Sequence, residues 1–181
     1  MRLFAKLIIG FLLLILSAQS ILPAGSRAQG SDVKIETKYD GAKDTTTVGF
    51  EELMVSNTAT EKLILSVEGS YSGKTAPKKH PDDVVLILSC LNRNGYKYPK
   101  AMVLLITADG KQLPSVLMLN FDRQRLDEDY LETLGTRMKY DTFFATAQAK
   151  KVEMKLNDTV FSLNEQHIKK LHDLEDLLHS K

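Results

Sequence analysis

The apolar run Val84–Leu91 constrains the fold more strongly than any other segment that follows the N-terminal leader. It has the length of a strand, it is rich in branched residues, and polar or turn-forming residues flank it on both sides. Its two alternating faces are both apolar: Val84, Leu86, Leu88 and Cys90 on one, and Val85, Ile87 and Leu91 on the other. A strand that is apolar on both faces is typical of one that is covered on both sides. The run therefore predicts a central strand around which the other elements pack.

Several neighbouring segments alternate apolar and polar residues, which predicts half-buried strands. They are Val33–Asp40, Thr45–Val55, Leu63–Tyr71, Ala101–Thr107 and Leu113–Phe121. Residues 108–111 predict a hairpin turn, and Asn94-Gly95 predicts another, since both residue types tolerate positive φ. This second turn is expected to return the chain into a strand at Tyr96-Lys97-Tyr98, which Pro99 interrupts.

The C-terminal third carries the predicted helices. Asp127 and Asp141 are each expected to cap a short helix, the first of which ends at Gly135. A hairpin is predicted over residues 151–163 with its turn at Asn157-Asp158, followed by an amphipathic helix over 164–179 capped by Asn164. Because sequential strands joined by short turns pair antiparallel, the sequence predicts a mainly β (α+β) domain over residues 29–181. We expect an antiparallel β-sandwich or a strongly curved sheet with the C-terminal helix packed on it.

Residues 1–28 have the pattern of a cleaved secretory signal peptide. Arg2 and Lys6 precede the apolar stretch 7–16, and the small residues Ser26 and Ala28 mark the expected cleavage site after Ala28, with cleavage after Ala24 as the alternative. The alternative is a leader retained as an anchor, but the apolar stretch is shorter than the ~20 residues that a spanning helix needs. We therefore expect an exported protein, periplasmic or secreted.

Charge and cysteine content exclude several classes of function. Loss of the leader would change the formal net charge from +1 to −2, because it removes Arg2, Lys6 and Arg27. A nearly neutral chain lacks the basic surface that nucleic acid requires, so no nucleic-acid partner is expected. Cys90 is the single cysteine, which excludes an intrachain disulfide, and its place in the central strand predicts a small buried hydrophobe.

No catalytic, cofactor or metal motif stands out in the sequence. The helix histidines His167, His172 and His179 are spaced by five and seven residues, whereas chelation on a helix needs three or four. The acidic groups lack the spacing of a calcium loop. His80 could act with Asp82 or Asp83 as an oriented base, but no serine or cysteine is tied to it.

Surface recognition is the remaining candidate. The predicted ligand-binding residues lie in a basic loop and in the arm after the central strand: Lys78, Lys79, Tyr96, Lys97 and Tyr98. Tyr96 and Tyr98 are expected to share one face and to stack on a sugar or on a partner's side chain. The sequence thus predicts an exported, non-catalytic binding module with a protein or glycan partner. The alternatives are an envelope hydrolase with an unrecognised site and an anchored structural component.

Overall fold

The part of the chain that the structure describes folds into one large antiparallel sheet with two helices. A computed structural model describes residues 33–74 and 80–179. In chain order, the elements are β1 (Ile35–Asp40), β2 (Thr45–Asn57), β3 (Glu61–Ser72), β4 (Asp83–Asn92), β5 (Ala101–Ala108), β6 (Lys111–Gln112), β7 (Val116–Leu126), β8 (Asp129–Lys139), α1 (Tyr140–Ala147), β9 (Val152–Leu156), β10 (Thr159–Leu163) and α2 (Glu165–Leu178).

The ten strands form a single open sheet rather than a sandwich. Nine of them are ordered β1-β2-β3-β4-β8-β7-β5-β9-β10, and the short β6 pairs with β5. Every pairing is antiparallel. Although β10 and β2 are far apart in this order, they lie against each other, so the sheet is strongly curved without being closed. The mainly β prediction is therefore confirmed, with the curved sheet as the arrangement that forms.

The core lies on the inner face of this curved sheet. On β4, Val84, Leu86, Leu88 and Cys90 are buried, which confirms the predicted central strand and the buried cysteine. The opposite face was expected to be covered as well, and that expectation is wrong. The side chains of Val85 and Ile87 are only half-buried, because both described helices pack on the opposite, inner face of the sheet.

Both helices pack on the inner face. The core includes Phe143 of α1 and three leucines of α2, namely Leu171, Leu174 and Leu178. The end of α2 lies close to β3, since a Cβ atom on Gly69 would be 2.7 Å from Leu178 Cδ2. The helices thereby fill the concave side of the sheet, where apolar burial contributes about 25 cal/mol for each Å² removed from water.

The helix predicted from Asp127 to Gly135 does not form. That segment enters β8, and Asp127 occupies the turn before it with φ 52°. β8 pairs with β4 on one side and β7 on the other, so two ladders of backbone hydrogen bonds outweigh its weak helical pattern. Gly135 is a strand residue beneath Phe121, whose Cε1 atom would be 2.7 Å from an added Cβ.

The strand predicted at Tyr96-Lys97-Tyr98 is also absent. Gly95 adopts positive φ, as expected for a turn, but the chain then continues as a loop. The neighbours of β4 are β3 and β8. The buried carboxylate of Glu132 accepts the amide hydrogens of Lys97 and Tyr98, so a side chain takes the place of a partner strand.

The C-terminal prediction is confirmed. The hairpin forms from β9 and β10, and Asn164 caps α2 by accepting a hydrogen bond from the His167 amide. The helix predicted at Asp141 exists as α1, but its N-cap is Lys139 and Asp141 lies in its first turn.

Neither helix in the described ranges is both long and apolar enough to cross a membrane. The predicted leader lies outside these ranges.

Candidate binding surface

The loop of residues 93–100 crosses one end of the inner face and is held by a buried carboxylate. Glu132 of β8 is completely buried. It accepts hydrogen bonds from the Lys97 amide at 2.6 Å and from Asn120 Nδ2 at 2.8 Å, and it pairs with Arg123 Nε at 3.2 Å. Donors from a loop and from β7 therefore converge on one acceptor, which holds the loop against the sheet.

Tyr98 and Lys97 form the other half of this anchorage. The Tyr98 hydroxyl donates to Glu61 Oε1 at 2.8 Å, and Lys97 Nζ lies 3.0 Å from Glu61 Oε2 and 2.6 Å from Thr159 Oγ1. These contacts join the beginnings of β3 and β10. Burial is the main cause that raises the pKa of the Tyr98 phenol, which keeps the hydroxyl protonated.

The structure thus separates the residues that were expected to bind together. Tyr98 is 1% exposed, whereas Tyr96 is 44% exposed. The expectation that the two tyrosines share one face is wrong, because their segment is a loop that turns one ring inward and the other outward. Lys78 and Lys79 lie outside the described residues, so their part of the predicted site stays a prediction.

Tyr96 belongs to a surface group that we call the arginine–tyrosine cluster, defined as Tyr96, Arg123, Arg125 and Tyr130. Tyr130 is half-buried and the other three residues are exposed. The Tyr96 and Tyr130 rings meet edge to face, with centroids 5.1 Å apart and an interplanar angle of 80°. Arg123 Cζ lies 5.3 Å from the Tyr96 centroid, and Arg125 Cζ lies 5.7 Å from the Tyr130 centroid. These distances are within the range of cation–π attraction.

Backbone pairing explains why these four side chains meet. Arg123 and Arg125 are two residues apart on β7, so they project from the same face. Arg125 is the cross-strand partner of Tyr130, and Arg123 is the partner of Glu132. The loop brings Tyr96 to this row from a distant part of the chain.

The two arginines differ electrostatically. Arg123 is tied to the buried Glu132 and also donates to the Tyr98 carbonyl oxygen. Arg125 is exposed, and its Nε donates to the Asp127 carbonyl oxygen at 3.4 Å. Within residues 33–74 and 80–179, Arg125 forms no ion pair with a carboxylate. Arg123 therefore holds the cluster in place, while Arg125 presents a guanidinium to solvent.

Sequence reasoning missed Arg123, Arg125 and Tyr130. Arg123 and Arg125 are two residues apart, a spacing that places both side chains on one face of a strand. The helix predicted after Asp127 was incompatible with the hairpin that β7 and β8 form. Without the cross-strand register, Tyr130 could not be placed beside Arg125.

A second polar cluster surrounds His80, beside the start of α1 and the end of α2. The His80 ring stacks on Tyr140 with centroids 3.9 Å apart, and the Tyr140 hydroxyl donates to the buried Glu175 at 2.8 Å. His179 lies beside the same carboxylate, with Nδ1 3.6 Å from Glu175 Oε1. Burial and the Glu175 carboxylate raise the pKa of Tyr140, so its hydroxyl is a poor nucleophile.

The outer face carries a shallow groove of about 1020 Å³ between β1 and the neighbouring strands. Small residues such as Thr47, Gly49 and Ser66 form its floor, and Lys38 bridges Glu36 and Glu51 along its rim. Desolvation, followed by the nearby Glu51, raises the pKa of Glu68 there. Charges of both signs alternate along this groove, so its electrostatics favour no single class of ligand.

Metal and thiol chemistry find no support in the described part of the chain. No three histidine, cysteine, aspartate or glutamate residues among those described are grouped so that they could hold a metal ion. Burial raises the pKa of the Cys90 thiol, which disfavours the reactive thiolate.

Comparison with protein-family models, with curated proteins and with solved structures gave no match.

Proposed function

We propose that this protein is an exported, non-catalytic binding module and that the arginine–tyrosine cluster is its binding surface. The observation that carries the proposal is the fixed arrangement of two tyrosine rings and two guanidinium groups at the surface. Tyrosine and arginine are enriched among the residues that dominate binding energy at interfaces.

The anchorage of the cluster supports this role. Tyr96 lies in the loop of residues 93–100, which Glu132 of β8 and Glu61 of β3 tie to the sheet. Arg123 is held by the same buried Glu132 carboxylate. A side chain that is already ordered loses less conformational entropy when a ligand binds. The hydrogen-bond network around the exposed Lys97 and the buried Tyr98 thus serves the site by positioning Tyr96, while Lys97 stays a predicted ligand-binding residue.

Export is proposed from the leader alone. Its charged start, apolar middle and small residues before Gln29 support cleavage after Ala28. Mass spectrometry of the protein from its native cells tests this, and we expect an N-terminus near Gln29. Recovery of the intact chain from Met1 in the membrane fraction would instead indicate a retained anchor.

Binding is tested by crosslinked capture of envelope components, comparing the unaltered protein with Tyr96→Ala and Tyr39→Ala. Tyr39 is a matched control, because it is 40% exposed and also lies beneath a cation, with Lys74 Nζ 5.0 Å from its ring centroid. We expect one component, protein or glycan, to be retained by the unaltered protein and by Tyr39→Ala.

Loss of that component with Tyr96→Ala alone would support the proposed surface. Equal retention by all three proteins, or retention by none, would contradict it. Circular dichroism and thermal unfolding of each variant would establish that the comparison is between folded proteins.

A further inference from the structure

We infer that the arginine–tyrosine cluster recognises a saccharide that carries carboxylate groups, an inference that rests on the proposed binding function. Recognition of such a saccharide requires three features of the site. They are a cation for the carboxylate, an aromatic face for the sugar ring, and local charges that tolerate well-separated negative charges on the ligand. The cluster provides each of them.

The cation is Arg125. Its Cζ atom lies 5.7 Å from the Tyr130 ring centroid, and its Nε donates to the Asp127 carbonyl oxygen. Within residues 33–74 and 80–179, its two terminal nitrogens have no hydrogen-bond partner. A guanidinium fork can form two parallel hydrogen bonds with a carboxylate, a geometry that an ammonium group cannot reproduce. The Tyr130 ring and the Asp127 carbonyl oxygen therefore leave the fork available to a carboxylate.

The aromatic surface is provided by Tyr96, with Tyr130 perpendicular to it. The Tyr96 ring is partly covered by Arg123 yet remains 44% exposed. An exposed ring that is held edge to face offers a flat apolar platform. The apolar C–H face of a pyranose fits such a platform, while its carboxylate reaches toward Arg125.

Neighbouring charges select against dense polyanions. Arg93 is paired with Asp129 at 3.6 Å, and Arg123 is paired with Glu132. Asp127 and Glu128 add two negative charges at the exposed tip of the β7–β8 hairpin. These acidic groups oppose a ligand with closely spaced charges more strongly than a ligand with one carboxylate on each sugar residue. One carboxylate for each sugar residue also matches the one guanidinium of the cluster that has no carboxylate partner among the described residues.

Isothermal titration of the purified protein with oligogalacturonate tests the inference. The matched ligand is the same oligosaccharide with its carboxyl groups reduced to alcohols. We expect the reduced ligand to bind at least roughly tenfold more weakly, because hydrogen bonds to a charged group are among the stronger polar contacts. Arg125→Lys is expected to lose a similar factor, since it keeps the charge but not the fork.

Tyr96→Ala is expected to weaken binding of both ligands, Tyr96→Phe to retain it, and Tyr39→Ala to leave it unchanged. Equal affinity for the acidic and reduced oligosaccharides would overturn the carboxylate requirement. No saccharide binding, together with an envelope component that still depends on Tyr96, would overturn the ligand class while leaving the binding function standing. Tyr96→Ala without effect on any of these measurements would overturn the proposed function itself.

Discussion

At the scale of single residues, Glu132 is the feature on which the candidate site most depends. It is a charged side chain with no exposed surface, surrounded by backbone amides, Asn120 and Arg123. Burial of a carboxylate is tolerated only when its charge and its hydrogen-bonding capacity are both satisfied. Glu132 also holds the loop that carries Tyr96, so this one side chain contributes both to stability and to the geometry of the candidate site.

We predict that Glu132→Gln lowers the free energy of unfolding by about 2–4 kcal/mol. The substitution removes the negative charge that pairs with Arg123 and directs an amide group toward donors that need an acceptor. Urea unfolding measures the change, with Glu128→Gln at the exposed hairpin tip as the control. A loss below about 0.5 kcal/mol, the usual range for surface substitutions, would show that Glu132 does not anchor the loop.

At the scale of elements, α2 begins with a capping box in which a histidine takes the place of the usual glutamate. Asn164 accepts from the His167 amide at 2.9 Å, and His167 Nδ1 accepts from the Asn164 amide at 3.3 Å. The His167 ring is buried and also contacts the Met54 backbone of β2. Desolvation therefore lowers the pKa of His167 below its ordinary range.

This shift makes stability depend on pH. The unfolded chain takes up a proton at the ordinary histidine pKa of about 6.5, whereas the folded state does so only at lower pH. The contribution of His167 is thus fully present above about pH 6.5 and is lost as pH falls through the folded-state pKa. We predict that the unfolding midpoint of the native protein falls more, between about pH 7.5 and pH 5, than that of His167→Gln.

Glutamine suits the comparison because it can complete a capping box without titrating. Urea titrations of the two proteins at each pH isolate the histidine from the other groups that titrate in this range. Parallel pH profiles for the two proteins would contradict the assignment.

At the scale of the whole molecule, the two faces of the curved sheet leave their apolar residues in very different environments. The inner face packs on the helices, whereas the outer face leaves Val103, Leu117 and Leu119 about half exposed. Val103 and Leu117 are cross-strand partners, so their side chains cover each other in part. Apolar residues on the outer face therefore contribute much less to stability than those within.

We predict that Leu104→Ala destabilises the protein by about 2–5 kcal/mol, because Leu104 is fully buried and its truncation leaves a cavity. Leu117→Ala, at a site 58% exposed, is expected to change stability by less than about 1 kcal/mol. Chemical denaturation of both variants measures the contrast. Equal losses would show that the outer face is covered in solution.

The sequence by itself determined the elements whose signals are local. The alternation in β1 and β3, the turns at Asn157 and Gly110, and the cap and apolar stripe of α2 depend on residues a few positions apart. These patterns reflect the geometry of a strand, a turn or a helix, so they could be read without knowing what packs against them.

Tertiary structure decided everything that depended on distant partners. β8 is a strand because β4 and β7 supply hydrogen bonds to both of its edges, which outweigh the short helical pattern between Asp127 and Gly135. Tyr98 faces the core and Tyr96 faces solvent because Glu132, 34 residues away from Tyr98, holds the loop between them. The residues of the arginine–tyrosine cluster lie on β7, β8 and that loop. Their contacts form only when the sheet assembles, so no short-range sequence pattern predicts them.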